Sequence, residues 1–405
     1  MNNNSLPKVS VILTSYNHAK YLKDSIESVL SQTYTNFELI IWDDCSQDDS
    51  WQIINTYEDS RIRKFRNQTN SGRGCNNIQR SIEYEANGEY IAIHHSDDVW
   101  APTKLEKQVA LLDRNSDIAA VFTHIQVIDE EGLHFTDVDH FYYKVFDQPN
   151  RSRYEWLNFF FYHGNALCHP SLLIRKACYD EVMYRSGLAQ IPDFDLWIQL
   201  CLKHEIYIIQ EKLTHFRVRD NEANVSGDHR LNRVRGQFEF LQVLSHYTAI
   251  ASIDELVKIF PEARQYTNHK NTDTLYALAR VALETGHINP IKLFGLNLLF
   301  EAINDPERAN KLQKYQLFDQ KAFIELTAKH DVFSVEELRK LNLKLNDRDK
   351  SIQQLTANLV EREQSIQRLT TNLAEQEQEI LFYSLSKSWY ITRPFRKIMK
   401  YIKGK

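Results

Sequence analysis

The sequence predicts an α/β fold, a doubly wound and mostly parallel sheet, followed by an α-helical region and a C-terminal coiled coil. Three observations carry this expectation. From Val9 to about Asp129 short apolar runs alternate with helical patterns, the arrangement of strands and helices around a parallel sheet. From about Gln237 to His330 the pattern is helical throughout. From Leu338 to Ile380 an apolar residue recurs every seven positions, which argues for a coiled coil. At 405 residues the chain exceeds one ordinary domain. Boundaries are expected at 1–236, 237–335, 336–383 and 384–405.

The first strand is Val9 to Thr14, after which Leu22, Ile26, Val29 and Leu30 repeat at helical spacing. Phe37 to Trp42 is a second strand that ends in Asp43-Asp44. Ser46 with Asp49 resembles a capping box opening the next helix. Arg61 to Arg66 reads as a short strand and Asn76 to Ala86 as a helix. Tyr90 to His94 is another strand, followed by the acidic loop Ser96-Asp97-Asp98 and a helix entered at Pro102. Ile118 to Val127 is again strand-like. Ligands of such sheets bind beyond the carboxyl ends of the strands. Thr14 to Asn17, Asp43-Asp44 and Ser96 to Asp98 all fall at such ends.

Near the C-terminus, Leu341, Leu355 and Leu369 take the second seam position of the heptad, interrupted by Arg348, Arg362 and Gln376. The stretch Asp349 to Leu359 is echoed by Glu363 to Leu373. The seam is narrow and its flanks are polar, so self-association or docking of a partner enzyme is expected. A long helix folded on its own domain is the alternative. From Ser386 to Lys405 seven lysines and arginines occur without an acid, interleaved with Trp389, Tyr390, Phe395 and other apolar residues. Such a segment suits contact with an anionic membrane surface, a disordered basic tail being the alternative.

Composition narrows the class. A formal net charge of -5 gives no overall drive toward nucleic acid. The five cysteines are widely spaced with no CxxC pair, which supports neither a zinc knuckle nor a disulfide framework. Met1 to Pro7 lacks the basic and apolar regions of a signal peptide. No run approaches the ~18 apolar residues of a membrane span. The expected location is the cytoplasm, at the inner face of the membrane.

Asp97 and Asp98, adjacent and directly after an apolar strand, are costly unless a positive charge compensates them. A hard cation with oxygen ligands, Mg²⁺ or Mn²⁺, would do so and would bridge to phosphates. Alone the pair is weak evidence. Its company is Val9-Ser-Val-Ile-Leu-Thr-Ser-Tyr-Asn17, Ser28-Val-Leu-Ser-Gln32, Phe37 to Ser46 and Gly88-Glu-Tyr-Ile91, ahead of Ser96-Asp-Asp-Val-Trp100. In this order and spacing the motifs closely resemble the family 2 inverting glycosyltransferases of GT-A fold. The resemblance covers roughly Pro7 to Ser226 and is most specific in its first hundred residues.

The resemblance implies roles residue by residue. Thr14 and Tyr16 match positions that line a nucleotide base, and Asp44 matches the carboxylate that reads its edge, with Asp43 buttressing the turn. Arg73 stands where family members often place a donor-contacting basic residue. Asp97 would contact the ribose or the metal, and Asp98 matches the metal ligand. The general base that strips the acceptor hydroxyl precedes an apolar, Trp-containing helix in the family. Pro192-Asp193-Phe194-Asp195-Leu196-Trp197 fits, with Asp193 as the base and Asp195 capping or bracing the helix. The implied donor is a nucleotide-diphosphate sugar, most often UDP-linked, and the acceptor a glycan or lipid-linked glycan.

Three departures qualify the match. Pro192 stands where relatives often have Glu, and Arg219 stands at the usual His of a downstream Arg-x-His stretch that reaches the diphosphate. Arginine cannot ligate a metal, but Arg217 or Arg219 could neutralise phosphate charge. The Gln-x-x-Arg-Trp pattern of processive relatives is missing, which implies one or few sugars per encounter. His94 and His95 read as shaping a strand end. His163 and His169 either line the acceptor side or are structural, and Phe159 to Tyr162 read as core. A dinucleotide-binding oxidoreductase lacks its glycine fingerprint at Ser15 to His18, and no P-loop occurs. The competing reading is an assembly protein whose coiled coil scaffolds a glycan-synthesis complex around a weakly active transferase domain.

Overall fold

The computed structural model describes residues 7–137, 139–219, 224, 227, 230–267 and 271–404. It divides into two compact units, Met1–Val332 and Phe333–Lys405. Unit 1 is built on one eight-stranded sheet: β1 (Val9–Ser15), β2 (Phe37–Asp43), β3 (Ile62–Arg66), β4 (Tyr90–His95), β5 (Val99–Trp100), β6 (Ile118–Ile128), β7 (Leu173–Arg175) and β8 (Glu205–Arg217). The spatial order is β3-β2-β1-β4-β7-β6-β8-β5. β3, β2, β1 and β4 are parallel, as are β6 and β8. The short β7 runs antiparallel between β4 and β6, and β5 antiparallel against β8.

The apolar runs form strands because both faces of the sheet are covered. Ile12, Ile40, Ile91 and Ile93 enter the core on one face. Their neighbours Val11, Leu13, Leu39, Ile41 and Ala92 enter the core on the other, as the two-residue period of a strand requires. The second face is closed by the helices Ala19–Leu30 and Lys104–Arg114 through Leu22, Ile26, Leu105 and Val109. The first is closed by Gly74–Arg80, Arg153–His163 and Pro192–Cys201. The same core continues into the later helices through Val243, Tyr247, Leu256, Phe260 and Phe294. Phe160 and Phe161 are buried within it.

Two of the sequence motifs brace the frame. Gly88 lies so close to β1 that a Cβ there would come within 2.5 Å of the Ser10 nitrogen. Its own N–H donates to Ser10 Oγ at 2.8 Å. Gln32 accepts from the Leu105 N–H at 3.0 Å and donates to Ala101 O at 2.8 Å. Ser28 Oγ accepts from the Trp100 N–H at 3.1 Å. This motif therefore fixes the chain that leaves the acidic loop.

The expected capping box does not form. The helix runs Ser50–Asn55, its N-cap Asp49 makes no side-chain cap, and Asp48 Oδ1 accepts from the Ser50 N–H at 3.0 Å. Ser46 instead donates to Asp43 Oδ1 at 2.5 Å and accepts from the Asn17 N–H at 2.9 Å, so its hydroxyl joins two strand ends.

In unit 2 a helix of 51 residues, Val335–Leu385, is followed by Lys387–Ile402. Ser386 caps the second, accepting from the Trp389 N–H at 3.2 Å. Neither helix buries a residue in the chain itself. Lys405 lies outside the described residues. Among the described residues, no helix is long and apolar enough to cross a membrane.

Candidate active site

The carboxyl ends of β1, β2 and β4 meet in register: Ser15 pairs with Asp43, and Thr14 pairs with Trp42 on one side and His95 on the other. Just beyond them Asn17 and Cys45 adopt left-handed backbone, with φ of 54° and 64°. For residues other than glycine this conformation needs a surrounding that enforces it. The enforcement here is hydrogen bonding. Asn17 Oδ1 accepts from the Gln47 N–H at 2.8 Å, and the Ala19 N–H donates to Asp48 Oδ2 at 2.9 Å. Between the two turns Tyr16 keeps 43% of its surface exposed.

Asp43 is fully buried and accepts from the Ser46 N–H at 3.0 Å, with Arg66 Nε 3.2 Å away. It holds the turn. Asp44 accepts from Asn67 Nδ2 at 2.5 Å, the Ser71 N–H at 3.0 Å and Ser71 Oγ at 2.8 Å. A carboxylate has about four acceptor positions, so one remains. The loop that Ser71 brings also carries Arg73, whose guanidinium donates to the carbonyls of Ser186 at 2.6 Å and Arg185 at 3.1 Å. Arg73 thus ties this loop to the segment leading toward Asp193, a clamp the sequence pattern did not show.

Asp98 lies at the centre of the acidic loop and is 1% exposed. Its Oδ1 accepts from the Arg217 N–H at 2.8 Å, while Oδ2 is buried with no hydrogen-bond partner among the described residues. Burial, together with the charge of Asp97, pushes its carboxyl well above the usual range. Ligand atoms of His95, Asp97 and Asp98 all lie within 4.8 Å of one another. Two carboxylates and an imidazole suit a divalent cation such as Mn²⁺ or Mg²⁺, and a cation there would satisfy the orphaned oxygen. His95, which the sequence reading assigned to shaping a strand end, therefore also belongs to the donor set.

The two downstream arginines divide. Arg217 is 1% exposed, and its side chain donates to the carbonyls of Asp97, Asp129 and Glu130 at 2.7–2.9 Å. Its charge is directed at backbone rather than toward a phosphate, which corrects the expectation for this residue. Arg219 stands 3.7 Å from Asp97 Oδ2 and donates to His18 Nε2 at 2.8 Å. Arginine only donates, so the His18 proton sits on Nδ1, which donates to Ser96 Oγ at 2.8 Å. Burial lowers the His18 pKa, consistent with this neutral tautomer. Asn224 Oδ1 accepts from the Arg219 N–H at 2.8 Å; Val225 and Ser226 of the same stretch lie outside the described residues.

Asp193 and Asp195 open the helix Pro192–Cys201 two residues apart, in contrasting surroundings. Asp195 is fully buried, bonded to Arg185 and to His246 Nε2 at 2.8 Å, and accepts from Gln199 Nε2 at 3.0 Å. It is a brace. Among the described residues the Asp193 carboxylate accepts from one side chain, Asn165 Nδ2 at 2.9 Å. Burial outweighs that bond and raises its pKa to about 6. Burial, with the charges of Asp98 and Asp193 adding to it, pushes the Cys168 thiol well up.

A residue that sequence reasoning passed over holds the segment leading to Asp193. Glu239, on the helix Arg230–Leu244, is 1% exposed. Its carboxylate accepts from the N–H groups of Ala189, Gln190 and Ile191 at 2.8, 2.8 and 3.0 Å. These are the three residues before Pro192. His163 and His169 separate as well: His169 is half-buried, with Nδ1 3.4 Å from His95 Nε2 and Nε2 3.2 Å from Tyr184 Oη, whereas the His163 ring lies against Phe159.

The chain is similar to known glycosyltransferases. The family model described as "Glycosyl transferase family 2" matches residues 10–175. An uncharacterized glycosyltransferase of Methanocaldococcus jannaschii is 30% identical over 247 residues, which are 60% of this chain and 78% of that protein. UDP-Glc:alpha-D-GlcNAc-diphosphoundecaprenol beta-1,3-glucosyltransferase of Escherichia coli is 29% identical over 264 residues, 62% of this chain and 94% of its own length. Among solved structures, S. aureus TarS 1-349 in complex with UDP aligns with a TM-score of 0.49 at 16% identity, covering 77% of this chain and 92% of that one.

Proposed function

Because the chain belongs to glycosyl transferase family 2, we propose that it moves a sugar from a nucleotide-diphosphate donor to a glycan hydroxyl with inversion and without processivity. The donor is a UDP-sugar, and the acceptor a surface polysaccharide or lipid-linked glycan; the Escherichia coli relative, whose description names both kinds of partner, supports this choice. The observation that carries the reading is the meeting of Asp97, Asp98 and His95 at strand ends, with Asp98 Oδ2 unsatisfied among the described residues; Asp193, of raised pKa, supplies a candidate base.

In this reading Thr14 and Tyr16 line the base, and Asp44 offers its remaining acceptor position to the base edge. His95, Asp97 and Asp98 hold a divalent cation, which when bound would neutralise charge on the departing diphosphate. Arg219, oriented by neutral His18, adds positive charge beside Asp97. Arg73 holds the donor-side loop against the acceptor-side segment rather than standing open toward the donor. Asp193 takes the proton of the acceptor hydroxyl as its oxygen bonds to the anomeric carbon and the bond to diphosphate breaks. With a pKa of about 6, Asp193 is mostly ionised at neutral pH yet more basic than an ordinary carboxylate, as a general base should be.

The test is a thermal-shift panel of UDP, GDP and dTDP with and without Mn²⁺. UDP with Mn²⁺ should raise the melting temperature most, by mass action worth ~2.7 kcal/mol at a hundredfold excess over Kd. A GDP or dTDP preference would replace the assigned base. No shift from any nucleotide would favour the scaffold alternative.

Unit 2 extends the proposal. The helix Val335–Leu385 joins the chain to a second copy, and the helix Lys387–Ile402 lies on an anionic membrane surface. Ile391, Phe395, Ile398 and Ile402 share one exposed face of that second helix, and Arg393, Arg396, Lys397 and Lys400 the opposite one. Each basic residue near such a surface contributes about 1 kcal/mol. The expected location is the inner face of the cell membrane. If removing residues 336–405 changes neither mass in solution nor recovery on phosphatidylserine vesicles, this extension fails.

A further inference from the structure

The 51 residues of Val335–Leu385 make a rod of about 77 Å. Its seam leucines and isoleucines are roughly half to two-thirds exposed, from 49% at Leu345 to 68% at Leu369 and Ile380. The pattern of charges along the rod determines more than whether it pairs. It selects a partner, a direction and a register.

The second seam position alternates between leucine and a polar residue: Leu341, Arg348, Leu355, Arg362, Leu369, Gln376. A polar layer therefore recurs every 14 residues, and each is followed directly by an acid: Asp349, Glu363 and Glu377. Adjacent residues on a helix do not face one another, so Arg348 cannot close on its own Asp349. An ion pair that this helix makes within itself, Glu336 with Arg339 at 3.0 Å, spans three residues and not one. In a parallel two-stranded coil a side chain at this seam position packs beside the next residue of the other helix. Arg348 then meets the acid that follows it, supplied from across the interface, and Arg362 does the same with Glu363. Lys344 likewise falls five residues before Asp349, the offset of attractive flanking pairs in parallel coils. Reversing one helix sets the acids of the two flanks against each other. Ile352 with Leu355 and Ile366 with Leu369 follow the isoleucine-then-leucine choice that favours two strands.

We propose that Val335–Leu385 pairs in parallel and in register with the same helix of a second copy of this chain. Two arginine layers are closed by the partner's Asp349 and the partner's Glu363. The inference rests on the self-association proposed above and adds its geometry.

The experiment uses the full chain, whose five cysteines all lie in unit 1. Leu355→Cys under mild oxidation should give a covalent dimer at high yield, with none from the unsubstituted chain. Arg362→Glu should weaken the dimer about tenfold by placing like charges across the interface, and adding Glu363→Arg should restore it. Light scattering of the unsubstituted chain separates the two levels of the proposal. A monomer overturns self-association itself. A dimer in which Leu355→Cys does not cross-link overturns the parallel register alone, and a trimer overturns the two-stranded assignment. A dimer indifferent to Arg362→Glu overturns the arginine layers.

Discussion

The two halves of the site are built in different ways. The proposed donor half rests on the ends of three parallel strands, β2, β1 and β4, and its groups lie in the last two residues of these strands or one to three residues beyond. The acceptor half rests on segments without sheet register: the loop at Asn165, the helix N-terminus at Asp193, and a carboxylate from Glu239, 46 residues further along. Strand ends place side chains through backbone ladders that tolerate substitution nearby. A loop clamped by one buried carboxylate depends on that carboxylate. The donor half should therefore fail residue by residue, and the acceptor half through its supports.

The largest expected effect lies in the donor half. Asp98→Asn should lower transfer by about 10³-fold and abolish stimulation by Mn²⁺, since stabilising the departing charge is worth several kcal/mol. Rates across a Mn²⁺ titration check this; an unchanged metal response would remove the acidic loop from its role.

Asp193→Asn comes next, with transfer falling ~10²–10⁴-fold while UDP binding by calorimetry is unchanged. In the unsubstituted enzyme kcat/KM should fall as pH drops through about 6, because the base becomes protonated. The stability consequence has the opposite sense. A carboxyl whose pKa is raised by folding has its protonated form favoured in the native state, so the chain loses stability as pH rises from about 4 toward 6. Asp193→Asn escapes that loss. It should melt higher than the parent above pH 6 and equally at pH 4, and equal melting at both would remove burial as the cause of the shift.

Glu239→Gln sharpens the contrast between the halves. The amide keeps the shape but turns a donor toward an N–H group, so the loop before Pro192 should shift. A displacement on the order of 1 Å costs about 10²-fold. Transfer should drop by 10–100-fold, with slow hydrolysis of donor by water retained. If both reactions fell equally, Glu239 would be supporting the whole fold and not the acceptor half. The smallest effect is expected from Arg219→Lys, a several-fold rise in donor KM, because a point charge replaces a fork held by His18.

This contrast also explains what could be read in advance. β1, β2 and β4 are continuous apolar runs because both of their faces are buried, and the groups beyond them inherit their positions. β7 has three residues, too few for a period. β8 alternates buried and exposed residues irregularly, with register shifts against β6, and it escaped the reading. Glu239 carried no local signal, since its three partners lie in another segment. Arg217 looked like a phosphate ligand in sequence, yet the three carbonyls that claim it come from two separate loops. Asp193 was separable from Asp195 by pattern, but only the Arg185 and His246 contacts explain why one is held and the other available. Ser46 had the spacing of a cap, and two strand ends competed for its hydroxyl.

Ser386, where one helix of unit 2 ends and the next begins, gives a parallel pair a bivalent foot. Both basic helices would leave the rod at the same end, so once one touches a bilayer the other searches only a small volume. Effective concentrations for such a second contact reach the millimolar range. A helix too weak to hold one chain at the surface could then hold two. Residence on the membrane would vary with the square of the chain's concentration, and dilution below the pairing constant would release it with no change in lipid.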